Sequence, residues 1–337
     1  MAILKDIAKV VGLNISTVSR AINGSGKGIN EETKKRIMEA ARQLNYYSNK
    51  KDIYLKNNSF SIGIISPDIT GSFYSLLIDE IAKNLSAQGY TMINAFTNFD
   101  EHKELNLVNR FAHQSVDGII LISERNKLLQ EKLRTINNIV PVVKVQMMED
   151  TDTYDCITID EKLGVFMAVG HFIKSGYHRI GYIGDGLCQR RFNYFKEALA
   201  QYGLHADETI IKIGNERFEE GGYLRMKELL ADNRYPNAVF ASYDDMAIGA
   251  MKAVAQQGLT IPGDIAIIGY DNNRASGYTQ TALTTVALPI QKLGEIATEL
   301  LFKKINGGDF DVVQPIKLKP QLVIRESTKT IVSKACL

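Results

Sequence analysis

The residue types that usually carry catalysis are present in this chain but are not arranged for it. The five histidines, His102, His113, His171, His178 and His205, are scattered, and no HExxH, nucleophile elbow or GxGxxG pattern occurs. His178, in a Gly-Tyr-His-Arg turn, reads as structural. Cys156, Cys188 and Cys336 are far apart and odd in number, with no CxxC and no zinc spacing. That pattern points to a reduced, cytosolic chain without a structural metal or cofactor. Gly24-Ser25-Gly26-Lys27-Gly28 looks like a phosphate loop, but such a loop needs Gly where Ala21 stands and Ser or Thr where Gly28 stands. It reads instead as a turn. What does cluster is positive charge. Lys and Arg outnumber Asp and Glu by 11 to 5 over residues 1–60, and fall behind by 29 to 33 over residues 61–337. The whole-chain net of +2 therefore hides a head of +6 on a body of −4, the asymmetry expected of a nucleic-acid-binding part.

The elements that would present this charge can be read from spacing. A length of 337 residues suggests two or three domains, and 45% apolar with 23% charged residues is an ordinary globular composition. No apolar run approaches the roughly 18 residues of a membrane span, and the first residues lack a signal peptide's apolar stretch. A cytoplasmic protein with no membrane partner is expected. In the head, Ile7, Ala8 and Val11 share a helix face that ends at Gly12. Asn14 can cap a second helix from Ile15 to about Asn23, and Asn30 a third with the stripe Ile37, Ala40, Ala41 and Leu44. Two short helices on a tight turn make a helix-turn-helix, whose second helix lies in the major groove. From residue 61 strands and helices alternate: 61–66, 73–88, 91–96, 101–113 and 118–122, with a restart at 179–184 and further apolar runs at 238–241 and 265–269. That rhythm predicts two open lobes of parallel, doubly wound sheet with a ligand cleft between them.

Leu4-Lys5-Asp6-Ile7-Ala8, Gly12-Leu13 and Ser16-Thr17-Val18-Ser19-Arg20 with Asn23 resemble the DNA-binding head of the LacI/GalR family of bacterial transcriptional regulators. The body resembles the family's type I periplasmic-binding-protein shape. Its markers include Val116-Asp117-Gly118-Ile119-Ile120, Gly176-Tyr177-His178-Arg179-Ile180-Gly181, Ile268-Gly269-Tyr270-Asp271-Asn272 and Leu322-Val323-Ile324-Arg325-Glu326-Ser327. The resemblance implies a helix-turn-helix over 1–47, a hinge over 48–60 and a two-lobed domain over 61–337 that binds effector and dimerises. The N-lobe would hold about 61–160 and 291–322, and the C-lobe about 161–290 and 323–337, with crossovers near 160, 290 and 323.

By the same resemblance Ile15, Ser16 and Arg20 would meet base edges, while Lys5, Thr17, Ser19 and Asn23 would serve phosphates and positioning. Leu55 would be the hinge's minor-groove wedge, beside Asp52, whose charge is unfavourable near phosphates. The effector positions carried over are Phe73, Tyr74, Gln146, Asp160, Arg191, Arg217, Phe218, Tyr243, Asp244 and Asp271. Phe73 and Tyr74 could stack on a sugar ring, Arg191 could fork onto hydroxyls, and Asp271 could accept them. The family role implied is a repressor, not an enzyme. It would bind a pseudo-palindromic double-stranded operator as a homodimer and respond to a small effector of the sugar class. The chain from Thr328 to Leu337 shows no leucine heptad, so a dimer rather than a tetramer is expected.

Overall fold

The computed structural model describes residues 4–22, 29–43, 59–113, 116–123, 127–137, 139–146, 156–232, 234–307 and 316–328. The chain divides into two units, Met1–Ser59 and Phe60–Leu337.

The first unit holds three helices: α1 (Leu4–Val11), α2 (Ile15–Ile22) and α3 (Glu31–Gln43). Gly12, at φ +70, turns the chain out of α1, and the Leu13 N–H donates back to the Ala8 carbonyl at 3.1 Å. Asn14 Oδ1 accepts from the Ser16 N–H at 3.3 Å, and Asn30 Oδ1 from the Thr33 N–H at 2.7 Å, so both later helices start on asparagine caps. Ile7, Val18 and Ile37, one from each helix, are fully buried against Ala8, Val11, Ala21, Ile22 and Ala40. Burying each large side chain stabilises by about 1.5–3 kcal/mol, so a core this small tolerates few losses. Residues 48–58 of the expected hinge, with Leu55, and Asn23 lie outside the described residues.

The second unit begins with β1 (Ser61–Ser66), α4 (Ser72–Ala87), β2 (Thr91–Phe96), α5 (Glu101–His113), β3 (Gly118–Ser123), α6 (Lys127–Asn137), β4 (Val142–Gln146) and β5 (Cys156–Ile159). It continues with α7 (Glu161–Lys174), β6 (Ile180–Asp185), α8 (Gln189–Gln201), β7 (Ile211–Gly214), α9 (Phe218–Leu230), β8 (Ala238–Ala241), α10 (Asp244–Gln256), β9 (Ala266–Asp271) and β10 (Thr284–Ala287). It closes with α11 (Ile290–Ile305), β11 (Ile316–Leu318) and β12 (Gln321–Val323).

The strands form two sheets, ordered β11-β5-β4-β3-β1-β2 and β12-β10-β9-β8-β6-β7. All pairings are parallel except β10 with β12, which is antiparallel. Central strands such as β3 and β9 are buried along their whole length, which is why they read as continuous apolar runs rather than alternating ones. The strand order reverses beside β1 in one sheet and beside β6 in the other. In open α/β sheets, ligands bind outside the carboxyl ends of the strands at such points. The chain passes between the lobes after β5, after β10 and at Lys319–Pro320, the last a few residues before the expected 323. In the C-lobe, Gly222 of α9 lies so close to the Met246 carbonyl of α10 that a Cβ there would clash. That close approach holds the first turns of both helices at the edge of the cleft.

Candidate functional site

Among the described residues, one candidate binding surface stands out in each unit. In the first unit, α2 turns Val18, Ala21 and Ile22 into the core and leaves Ser16 and Arg20 exposed. Ile15 is 43% exposed, so it is a surface residue and not part of the small core. Thr17 and Ser19 are half-buried, and Lys5 is exposed on α1. The Arg20 Nε donates to the Ser16 carbonyl at 3.4 Å, one turn back on the same helix. Arg36 of α3 donates to the Val11 carbonyl at 3.3 Å, tying α3 to the end of α1. The result is a short helix with a polar face, one arginine and one exposed β-branched side chain, dimensions that suit a major groove.

In the second unit a cavity of about 640 Å³ lies between the lobes. Its residues follow the carboxyl ends of the strands: Gly71 to Tyr74 after β1, Thr97 and Phe99 after β2, Asp185 ending β6, Tyr243 after β8 and Asp271 ending β9. Phe73, Tyr74, Arg191, Arg217, Phe218, Tyr243 and Asp271 all line it. Arg217 lies over the rings of Phe99 at 4.9 Å and Phe218 at 4.5 Å, with Nη1 3.1 Å from Asp68 Oδ2. The Tyr243 hydroxyl donates to Asp185 Oδ2 at 2.7 Å and accepts from the Phe218 N–H at 2.9 Å.

Arg191 is buried, its guanidinium 3.8 Å from the centre of the Tyr270 ring. Its Nε and Nη2 reach Glu161 Oε1 at 3.0 Å and 2.8 Å, and its Nη1 donates to the Ser242 carbonyl. Burial works against this charge, but Glu161 beside it keeps the guanidinium pKa above its ordinary value. Three of its five N–H groups are therefore committed inside the protein, which leaves two for a ligand.

Three of the expected residues lie elsewhere. Asp160 caps α7, accepting from the Leu163 N–H at 3.0 Å, and meets Lys317 at 3.0 Å. The next residue, Glu161, lines the cleft instead. Asp244 is fully buried in the C-lobe, accepting from the Asn273 N–H at 2.8 Å and the Thr285 hydroxyl at 2.5 Å. Its neighbour Asp245 takes the cleft position. Gln146 ends β4 as a buried residue whose Oε1 accepts from Cys156 Sγ at 3.6 Å, and it is not part of the cleft wall.

Sequence reasoning passed over Glu161, Asp185, Arg190, Asp245 and Phe99. Asp185 had a signal available, because it is the last residue of an apolar strand run. Cys188 also lies in the wall, where burial pushes its thiol up to about 12, so it stays protonated and inert. None of the histidines among the described residues lines the cleft.

Residues 3–49 match the bacterial regulatory proteins of the lacI family, and residues 169–328 match the periplasmic binding protein-like domain. Catabolite control protein A of Priestia megaterium is 30% identical over 332 residues, covering 96% of this chain and 98% of its own. The HTH-type transcriptional repressor PurR of Vibrio cholerae is 31% identical over 338 residues, covering 98% and 99%. Among solved structures, a LacI family transcriptional regulator from Enterococcus faecium with bound ribose superposes with a TM-score of 0.68 at 27% identity. That match covers 80% of this chain and 98% of the other.

Proposed function

The chain belongs to the lacI family of bacterial regulatory proteins, as a ligand-responsive repressor of transcription, and from that premise we propose its working parts: a homodimer in the cytoplasm, a pseudo-palindromic operator, and a sugar or sugar derivative as effector. The observation that carries this reading is the cleft itself. An aromatic wall of Phe73, Tyr74, Phe99, Phe218 and Tyr243 faces carboxylates and guanidiniums across a cavity large enough for a sugar. Carboxylates accept hydroxyl protons in pairs, guanidiniums donate to them, and aromatic faces pack on the C–H face of a ring. The regulator with bound ribose supports the same class of ligand.

On the operator, Arg20 would fork onto a guanine edge and Ser16 would pair with a neighbouring base. Ile15, which cannot hydrogen-bond through its side chain, would touch a thymine methyl. Lys5, Thr17 and Ser19 would hold phosphates and fix the register. The chain works by binding and not by turnover. Effector occupancy changes operator affinity, and the coupling is reciprocal: operator alters effector affinity by the same factor.

The test is a thermal-shift screen of the full chain against pentoses, hexoses and disaccharides. It is followed by operator titration, with and without each hit, on DNA selected from a random pool. A sugar that raises the melting temperature and changes operator affinity supports the reading. Hits that stabilise the protein but leave operator affinity unmoved would remove the regulatory role of the cleft.

A further inference from the structure

Each guanidinium among the described residues that line the cleft is met by a carboxylate. Arg190 and Arg191 both reach Glu161, at 2.7 Å and 2.8 Å. Arg217 reaches Asp68 at 3.1 Å and Asp185 at 3.5 Å. The carboxylates exceed these cations. Among the described lining residues, the six carboxyls of Glu101, Glu104, Glu161, Asp185, Asp245 and Asp271 stand against three arginines. The N-terminus of α4 opens on the cleft at Ser72 and would otherwise attract an anion, but Asp245 already occupies it.

Asp271 differs from the other carboxylates. It is only 9% exposed, it faces the cleft, and its side chain has no hydrogen-bond or ion-pair partner among the described residues. Its backbone sits at φ +107, followed by Asn272 at φ +55, a region that favours glycine. The turn is held from behind. The Asn272 N–H donates to Thr285 Oγ1 at 3.2 Å, and Arg325 donates to Asn272 Oδ1 at 2.6 Å. A strained turn fixed in this way places a carboxylate on the cleft side at a set position. The charge of Arg191 within its reach is offset by Glu161, while Asp244 and Asp245 add like charge. Burial and these neighbours push the Asp271 pKa well up.

We propose that the cleft selects a cationic effector, a small polyol bearing a protonated amine such as an amino sugar, with its ammonium on Asp271 and its ring against the aromatic wall. The proposal deepens the reading of the cleft as the effector site and rests on it. Burial disfavours the charged form of Asp271, and Arg191, the cation within its reach, is already paired with Glu161, so a ligand ammonium would favour that charged form while a neutral hydroxyl would not. An anion such as a sugar phosphate would meet an excess of carboxyls and only guanidiniums whose charge is already paired with a carboxylate. Arg217 already lies over the rings of Phe99 and Phe218, and the other aromatic side chains of the wall, Phe73, Tyr74 and Tyr243, can attract a cation as well as pack on a sugar ring.

The experiment is isothermal titration of the full chain at pH 7 with glucose, galactose and mannose, each beside its 2-amino form, its N-acetylated 2-amino form and its 6-phosphate. At least one 2-amino sugar is expected to bind about tenfold more tightly than both its parent and its N-acetyl form. The matching 6-phosphate should bind more weakly than the parent. Asp271→Asn should bring the amine preference to within about twofold, a step of well under 1.4 kcal/mol. The ligand series on the unaltered chain carries the test even if the variant folds poorly. A parent sugar or a 6-phosphate that binds as tightly as the amine overturns the charge selection while leaving the effector site standing. An amine preference unchanged in Asp271→Asn overturns the assignment to Asp271. If no member of the series binds, the effector-site reading fails, and this proposal with it.

Discussion

Ser72, in the first turn of α4, donates its hydroxyl to Asp245, in the first turn of α10, with Oγ 2.8 Å and 2.9 Å from the two carboxylate oxygens. The two residues belong to different lobes. Asn273 joins them, its amide nitrogen 2.6 Å from Asp245 Oδ1 and 3.3 Å from Ser72 Oγ. Together with the Asp68–Arg217 ion pair, this cluster ties the lobes across the mouth of the cleft. A ligand that favours this arrangement is reinforced by the tie, and one that favours another must break it.

Removing the tie should therefore loosen the lobes. Ser72→Ala deletes the cross-lobe hydroxyl donor but leaves Asp245 its bonds to the Ser72 backbone N–H and to Asn273. A hydrogen bond to a charged group is worth about 1.5–3 kcal/mol, so the closed arrangement should lose up to that amount. Small-angle X-ray scattering of the variant should show a larger radius of gyration than the parent. An unchanged scattering curve and unchanged ligand affinity would mean that the lobes are held by other contacts.

Glu161 is the common partner of Arg190 and Arg191, and it is buried. Glu161→Ala leaves both guanidiniums without their carboxylate, one of them fully inside the protein. Breaking a buried pair from one side costs roughly 3–5 kcal/mol. Denaturant unfolding should show a drop of that order with an unchanged m value. A loss below about 1 kcal/mol, the range of an exposed surface pair, would contradict the buried arrangement.

The pH dependence of stability should carry the mark of Asp244. Burial raises its carboxyl from 3.8 to about 7, against the opposing hydrogen bonds from Thr285 and Asn273. The folded state therefore keeps a proton that the unfolded state releases. The stability from this group is fully present below pH 3.8 and is lost as pH rises through about 7. The full swing is on the order of 4 kcal/mol, and Asp245 and Asp271 are shifted in the same direction. Asp244→Asn should flatten the fall in melting temperature between about pH 5 and pH 8. A variant with the parent's pH profile would show that Asp244 is ionised in the fold.

On the DNA side, Arg20→Ala should weaken operator binding by about 1–3 kcal/mol and relax base preference at one position per half-site. Lys5→Ala should instead weaken binding to all sequences alike and lower the salt slope by about 0.9 for each phosphate that Lys5 neutralises. Competition against a pool of single-base operator variants separates the two outcomes. An Arg20→Ala protein with undiminished base preference would take Arg20 out of the readout.

Much of this organisation was legible in the chain. The bounds of β1 and β8 follow from apolar runs, because burial on both faces of a parallel strand leaves a continuous apolar signature, whereas β2 is a largely exposed edge strand and α5 an amphipathic helix. The asparagine caps before α2 and α3 were readable for the same local reason. The misplacements were of one residue. Asp160 and Glu161, like Asp244 and Asp245, are adjacent acids at helix starts, and each step along a helix turns a side chain by about 100°. Which acid caps or is buried, and which faces the cleft, depends on the packing behind it. Thr285 and Asn273 claim Asp244, while Ser72 claims Asp245 from the other lobe. Partners 173 residues apart, as Ser72 and Asp245 are, leave no local trace. Gln146 shows a different limit, since a position matched by alignment alone says nothing about where the side chain turns.

The central claim is that occupancy of the cleft controls the affinity of the head for operator. Its most direct test is a closed thermodynamic cycle. Operator affinity is measured by fluorescence anisotropy with and without saturating cleft ligand, taking the tightest binder from the panel of sugars and 2-amino sugars. Ligand affinity is then measured by titration with and without saturating operator. The expected result is that both affinities change by one and the same factor, on the order of 5–150-fold. Two affinities that each stay constant whatever occupies the other site would contradict the claim.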